Sequence, residues 1–335
     1  LVSAAATLRR SCPAAGSRFS RIEIGRSQSP QRANDFTLAR FALMKRTLQK
    51  KSPCKVNLLL NILGRRDDGF HELETVLQPV NFCDELVLER GGKSIQLSCS
   101  EKNLPVDSRN LVFRAAEKFL AAANISDGVK IHLDKKIPLA AGLGGGSGNA
   151  AATLRALNEL FDRPLTSEKL FEIAAALGSD IPFFLQDQPA LATGRGEKIQ
   201  PLEHFPALAG KIFFLIHSGF GISTPWAYQN LARFPAALNG EKGRAQKLIS
   251  KLQTEDLHDA AGDFYNSLEA PALDKFPVLS LYQEFLREHG ALAALMSGSG
   301  STTFAIAENL NAAESLAEKF KSRFGENCWT AMVPV

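Results

Sequence analysis

Cysteine is sparse in this 335-residue chain: Cys12, Cys54, Cys83, Cys99 and Cys328 are odd in number and scattered, and no C-x-x-C or histidine pair stands at ligand spacing. That argues against a disulfide framework and a structural zinc site, and it fits a reducing compartment. Long apolar runs are missing too. Stretches such as Ile212–Ile216 and Ala291–Met296 fall far short of the ~20 residues that a spanning helix needs, so no membrane span is expected. Nor is there an excess of charge where it would matter. The net charge is +4, but residues 1–43 hold seven arginines against Glu23 and Asp35, which leaves −1 on the rest. A nucleic-acid partner therefore lacks its electrostatic footprint. What remains, 45% hydrophobic and 22% charged residues, is ordinary for a soluble globular protein, and the length suits about two domains of ~150 residues.

The first 43 residues are rich in Ser, Ala and Arg and interrupted by Pro13 and Pro30, with little material for a packed core. They match a transit peptide in composition. Equally, the chain begins with Leu and a strongly patterned segment follows Met44, as expected of an extension upstream of the natural start. From Ser52 the pattern is dense. Strands are predicted from Lys55 to Leu63, at Leu86–Glu89, Ile95–Cys99 and Val129–Leu133, with Gly64–Gly69 as a turn. Helices are predicted over Asn110–Ala123, from about Asn149 to Phe161, and over Ser167–Leu177 with Ser167 as its cap. After a boundary near 205 come a strand at Lys211–His217, a loop holding Gly219, Gly221 and Pro225, and helices near Arg244–Thr254 and Leu279–His289. A strand at Thr302–Ile306, a helix at Ala312–Phe324 and a strand at Trp329–Pro334 close the chain. Without a strict βαβ rhythm, the expected class is α+β.

Pro138 to Gly148 is the most informative stretch, with five glycines in seven residues between a predicted strand and a predicted helix. Glycines let a backbone turn its N–H groups toward a ligand, and a helix start favours anions, so this is a candidate phosphate cradle. A flexible surface loop is the plainer alternative. It is not a Walker A loop, since Val87 stands where the first glycine before Gly92-Lys93-Ser94 should be, and Asn149 breaks both the dinucleotide fingerprint and a nucleophile elbow at Ser147. Ser297–Ser301 is a second small-residue turn, expected between a helix and a strand. Lys55 begins an apolar strand, and Asp180 follows a helix end. Singly, these read as a solvated strand face and a turn former; together they supply a cation and a proton acceptor, as phosphoryl transfer requires.

With Ser52–Asn57, Gly69–Leu73, Pro138–Ala152, Leu177–Phe183 and Met296–Ser301 in order and at the family spacing, residues 48–335 resemble the GHMP kinases. The resemblance implies an N-terminal domain like ribosomal protein S5 domain 2 over 44–205 and a ferredoxin-like C-terminal domain over 206–335. It implies transfer of phosphate from ATP, with Mg²⁺, to the 2-hydroxyl of a small molecule, 4-diphosphocytidyl-2-C-methyl-D-erythritol of the non-mevalonate isoprenoid route. By the same resemblance Lys55 and Asp180 are catalytic. Pro138, Leu139, Ala140, Ala141, Gly142, Leu143, Gly144, Gly145, Gly146, Ser147 and Gly148 wrap the ATP phosphates, and Asn110 and Lys136 lie on the adenosine side. Asn57, Phe70, His71, Thr224 and Tyr228 meet the substrate. Departures from the pattern are Ala140 and Ala141 in place of usual glycines, Phe70 for a tyrosine, and Gly148 for a second serine. The last leaves Ser147 as the hydroxyl for Mg²⁺, which otherwise enters through phosphate oxygens and water. A homoserine- or mevalonate-type kinase and a non-catalytic nucleotide-binding regulator are the alternatives. A monomer or homodimer in the cytoplasm is expected, or in a plastid if residues 1–43 are a transit peptide.

Overall fold

The computed structural model describes residues 47–254 and 256–335; the arginine-rich stretch 1–43 lies outside the described residues. In the first half, β1 (Thr47–Arg65) and β2 (His71–Arg90) are followed by β3 (Ile95–Cys99), α1 (Leu111–Ala122) and β4 (Val129–Asp134). Then come α2 (Gly145–Leu160), α3 (Ser167–Leu177), β5 (Ala190–Gly194) and β6 (Lys198–Pro201). The second half holds β7 (Ile212–His217), α4 (Thr224–Asn230), α5 (Arg244–Leu252), β8 (Tyr265–Asn266) and α6 (Val278–Glu288). It ends with β9 (Ala293–Met296), β10 (Thr303–Ala307), α7 (Leu310–Phe324) and β11 (Trp329–Pro334).

The long β1–β2 hairpin is the spine of a seven-stranded sheet ordered β3-β4-β2-β1-β8. One edge of β2 serves two partners, β5 along Leu73–Leu77 and β4 along Glu85–Arg90. A second, four-stranded antiparallel sheet is ordered β11-β7-β10-β9. Helices pack against these sheets without a repeating βαβ unit, so the α+β class stands. Three large apolar cores, among the described residues, hold the layers. Phe119 of α1 and Leu154 and Leu157 of α2 pack on Leu86, Leu88 and Ile131. Val56, Leu58 and Leu59 of β1 share a second core with Phe213, Leu215 and Phe304 and with Leu248 and Leu252 of α5. The alternate residues of β7, Phe214 and Ile216, face a third with Leu286 and Phe320. Each large apolar side chain so buried contributes ~1.5–3 kcal/mol.

Several boundaries differ from the sequence reading: β1 begins at Thr47 rather than Lys55, and β2 runs from His71 to Arg90 where a strand at Leu86–Glu89 is expected. The helix expected from Asn149 begins at Gly145, so three glycines form its first turn. The cap of α3 is Thr166, whose hydroxyl accepts from Lys169 N at 3.3 Å, rather than Ser167. Pro225 lies in the first turn of α4, where its missing N–H costs nothing, rather than in a loop. Ser297–Ser301 joins two strands, β9 and β10, rather than a helix and a strand.

Candidate functional site

The inward parity of β4, set by buried Val129, Ile131 and Leu133, carries the chain into the glycine-rich segment, and α2 carries it out. Gly144 caps α2 in a left-handed conformation without any side-chain bond, which leaves the first-turn N–H groups free to meet an anion. Two glycines are needed for distinct reasons. Gly142 has φ +76°, and a Cβ there would come within 2.1 Å of Ser297 O. A Cβ on Gly148 would meet Pro53 O at 2.7 Å, so α2 sits against β1 only because residue 148 is glycine. The second small-residue turn buttresses the first: Ser297 Oγ donates to Gly142 O at 3.0 Å and Thr302 N to Ala141 O at 3.2 Å.

These segments wall a cavity of about 580 Å³ lined also by Lys55, Asn57, Asn110, Lys135, Asn149 and Asp180. Bulges in β1 at Pro53/Cys54 and Asn57/Leu59 flank the cavity-facing pair Lys55 and Asn57. Lys55 is only 3% exposed. Its ammonium donates to Asn57 Oδ1 at 2.5 Å and Gly142 O at 2.8 Å, and Asn57 Nδ2 in turn donates to Thr75 Oγ1 at 2.9 Å. Burial pushes the Lys55 pKa down, and the nearby Asp180 carboxylate opposes that shift. Asp180 itself is exposed, held in the loop after α3 by the buried Ile181, Pro182 and Phe183. No direct ion pair joins Lys55 and Asp180 among the described residues, so the carboxylate faces the cavity unengaged by the lysine.

A second cavity, about 670 Å³, is lined by Arg65, Phe70, His71, Arg195, Thr224 and Tyr228, and it meets the first along Leu73, Asp180, Arg195, Thr224 and Tyr228. His71 and Tyr228 lie 5.0 Å apart between ring centres, and Phe70, 52% exposed, stacks beneath the Arg195 guanidinium at 4.7 Å. Burial, then the neighbouring Arg65, lowers the His71 pKa, so the imidazole is neutral at pH 7. Burial, then Asp180, raises that of the Tyr228 phenol, which stays protonated. Thr224 Oγ1 and Ser299 Oγ are 2.9 Å apart and pin α4 to the second turn.

The structure thus gathers Lys55, Asn57, Asn110, Pro138–Ser147, Asp180, Thr224 and Tyr228 around one cavity and Phe70 and His71 beside them in the other. Two expected residues are elsewhere. Lys136 points outward and pairs with Glu85 at 2.7 Å, and Gly148 packs under β1 rather than lining the cavity. Of the two adjacent lysines it is Lys135, the first residue past β4, that lines the cavity, in step with the inward Val129, Ile131 and Leu133. Asn149 and Arg195 also line it and were not anticipated. Asn149 was hidden by the misplaced helix start; no local pattern marks Arg195 between Gly194 and Gly196. Among the described residues no group of three or more His, Cys, Asp or Glu is placed to hold a metal, and no helix is long and apolar enough to cross a membrane.

A glycine-rich segment, a buried lysine and an exposed carboxylate thus share one cavity. Residues 110–194 match the model of the GHMP kinases N terminal domain, and residues 245–327 that of the GHMP kinases C terminal. A relative from Geobacter sp. (strain M21), named 4-diphosphocytidyl-2-C-methyl-D-erythritol kinase, is 38% identical over 279 residues, covering 83% of this chain and 96% of the relative. The chain belongs to this kinase family. A crystal structure of 4-(cytidine 5'-diphospho)-2C-methyl-D-erythritol kinase superposes with a TM-score of 0.72 at 34% identity, covering 86% of this chain and 100% of that one. Homoserine kinase from Cytophaga hutchinsonii, at TM-score 0.67 and 20% identity over 87% of this chain and 95% of its own, shares the fold.

Proposed function

We propose that the chain transfers the γ-phosphoryl group of ATP to the 2-hydroxyl of 4-diphosphocytidyl-2-C-methyl-D-erythritol, giving the 2-phosphate and ADP. The observation that carries this is the junction of the two cavities at Asp180, one walled by the glycine-rich segment and the other by Phe70, His71 and Tyr228. The first takes the ATP phosphates at the N-terminus of α2, between Lys135 and Lys55. The second takes the cytidine against aromatic planes, a stacking worth ~1–3 kcal/mol per base. Neutral His71 offers one donor and one acceptor to the polar edge of the base.

At the junction the substrate oxygen bonds to the γ-phosphorus, the bond to the β–γ bridging oxygen breaks, and the hydroxyl proton passes to an Asp180 oxygen. Such a loose transition state asks for positioning and charge stabilisation more than a strong base. Lys55, fixed by Asn57 and Gly142, provides a cation that cannot swing away. The oxygen donors here suit Mg²⁺. Ser147 Oγ, in the first turn of α2 at the cavity wall, would hold the ion together with phosphate oxygens and water, and the ion would neutralise charge on the transferred group. We place the reaction in the cytoplasm, or in a plastid if residues 1–43 serve as a transit peptide, and treat 44–205 and 206–335 as its two lobes.

The test is ADP release with Mg-ATP and 4-diphosphocytidyl-2-C-methyl-D-erythritol, beside homoserine and mevalonate. Turnover is expected on the cytidyl substrate alone. Asp180→Asn is expected to lower kcat by about 10²–10⁴, the range of general acid–base groups, and a loss under about tenfold removes Asp180 as the base.

A further inference from the structure

Asp84 lies in β2 opposite Ser52 of β1, with none of its side chain accessible to solvent. It lines neither cavity, yet its carboxylate is saturated. Oδ1 accepts from Lys136 N at 2.7 Å and Ile137 N at 2.8 Å. Oδ2 accepts from Asn149 Nδ2 at 2.8 Å and from the Lys135 ammonium. The sequence positions of these donors are the point. Residues 136 and 137 lead into the glycine-rich segment, and Asn149 stands where α2 leads out of it. Lys135 and Asn149 both line the first cavity, and the Lys135 ammonium would be 3.3 Å from a Cβ on Gly145. Asn149 adds a bond from Lys135 at 3.3 Å and donates to Ser52 Oγ at 2.9 Å, which ties the cluster back to β1.

We propose that Asp84 is a positioning residue for the nucleotide: one buried carboxylate that fastens both ends of the glycine-rich segment and holds Lys135 against its helix start. A cradle of N–H groups binds an anion well only if its ends are fixed before the anion arrives, because ordering a loop on binding subtracts from affinity. Asp84 supplies that fixing without touching a ligand. The inference rests on the reading of the first cavity as the ATP site.

The test compares wild type, Asp84→Asn and the exchange Asp84→Asn/Asn149→Asp, using calorimetric ADP binding, KM for each substrate and thermal unfolding. In Asp84→Asn the amide oxygen still faces the 136 and 137 N–H groups, but the new NH₂ opposes the Asn149 amide and the Lys135 ammonium. ADP affinity and KM for ATP are expected to worsen about 10- to 100-fold, the loss typical when the partner orienting a ligand-holding group is removed, with acceptor KM held within about twofold. The exchange keeps size and charge, returns a carboxylate to Lys135, and is expected to bring ADP affinity back to within about threefold of wild type. A folded Asp84→Asn protein that binds ADP within about twofold of wild type overturns the proposal, as does a loss shared equally by both substrates. Should the single variant fail to fold, the exchange decides: wild-type affinity supports the clamp, and an affinity still about tenfold weak overturns it. Wild-type protein that binds no ADP is a different failure, since it removes the ATP site itself.

Discussion

Lys55 is a cation that the fold makes easy to neutralise. Because burial disfavours its ammonium, the proton leaves at lower pH than from an ordinary lysine. The sign follows for both activity and stability. Activity that needs the ammonium is full at lower pH and falls as pH rises through the lowered pKa. Stability moves the other way. The unfolded chain binds this proton more tightly, so the Lys55 contribution to stability rises with pH between the folded and unfolded pKa values. A kcat/KM profile is therefore expected to bend downward below the usual lysine range, and Lys55→Met to abolish that limb; a limb that persists in the variant assigns it to another group. Phe70 gives a separable readout, since its exposed ring can be removed without opening a core. Phe70→Ala is expected to raise KM for the cytidyl substrate about 5- to 150-fold, equivalent to ~1–3 kcal/mol of stacking, and to leave KM for ATP unchanged. An equal rise in both would show that the ring shapes the whole cleft. At this scale the sequence marked residue types better than directions. Lys55, Asp180 and the Phe70-His71 pair stood out by type, whereas Lys135 and Lys136 differ only in which way they face, a matter of strand parity.

Between elements, the contact of Ala140 with Gly221 links the glycine-rich segment to the loop between β7 and α4. Ala140 holds a left-handed φ of +51°, a strain of about 1–2 kcal/mol for a residue bearing a Cβ, and its methyl fits because residue 221 has none. A Cβ on Gly221 would lie 2.6 Å from that of Ala140. Gly221→Ala is expected to destabilise by about 1–3 kcal/mol through overpacking, and Ala140→Gly to restore part of this in the double variant, the Ala140 carbonyl oxygen at 3.0 Å still resisting the new methyl. Chemical denaturation of the four proteins checks it, and strictly additive effects would refute the contact. Long, patterned elements were legible: α1, α3, α6, α7 and β11 lie within a few residues of their expected places. The misses have physical causes. Gly145, Gly146 and Gly148 carry poor helix propensity, so the true start of α2 is not legible without the packing against β1. Strands β5 and β8 span five and two residues and owe their existence to β2 and β1, far away in sequence, which no local pattern can report; β6, four residues long, forms only as the hairpin partner of β5.

For the whole molecule, the second core decides how the halves behave. Val56, Leu58 and Val80 from the first half share it with Phe213, Leu215 and Phe304 from the second. A cut at 205/206 would bare both faces, so residues 44–205 and 206–335 expressed separately are expected to lack the single cooperative thermal transition expected of the joined chain. Two independent transitions in the intact chain would contradict this. Saturating ADP at about 100 times its Kd is expected to raise the stability of that single unit by about 2.7 kcal/mol. The junction at Asp180 has a further consequence, for inhibition. Two cavities that open into each other across one carboxylate are expected, on the proposed assignment, to accept a single tethered molecule, an adenosine and a cytidine joined through a chain of phosphates. Once one end is seated, the other is presented at an effective concentration in the millimolar range, so such a bridged compound should bind far more tightly than either nucleotide alone. A kinase of the same fold lacking the aromatic cavity would gain nothing from the second arm.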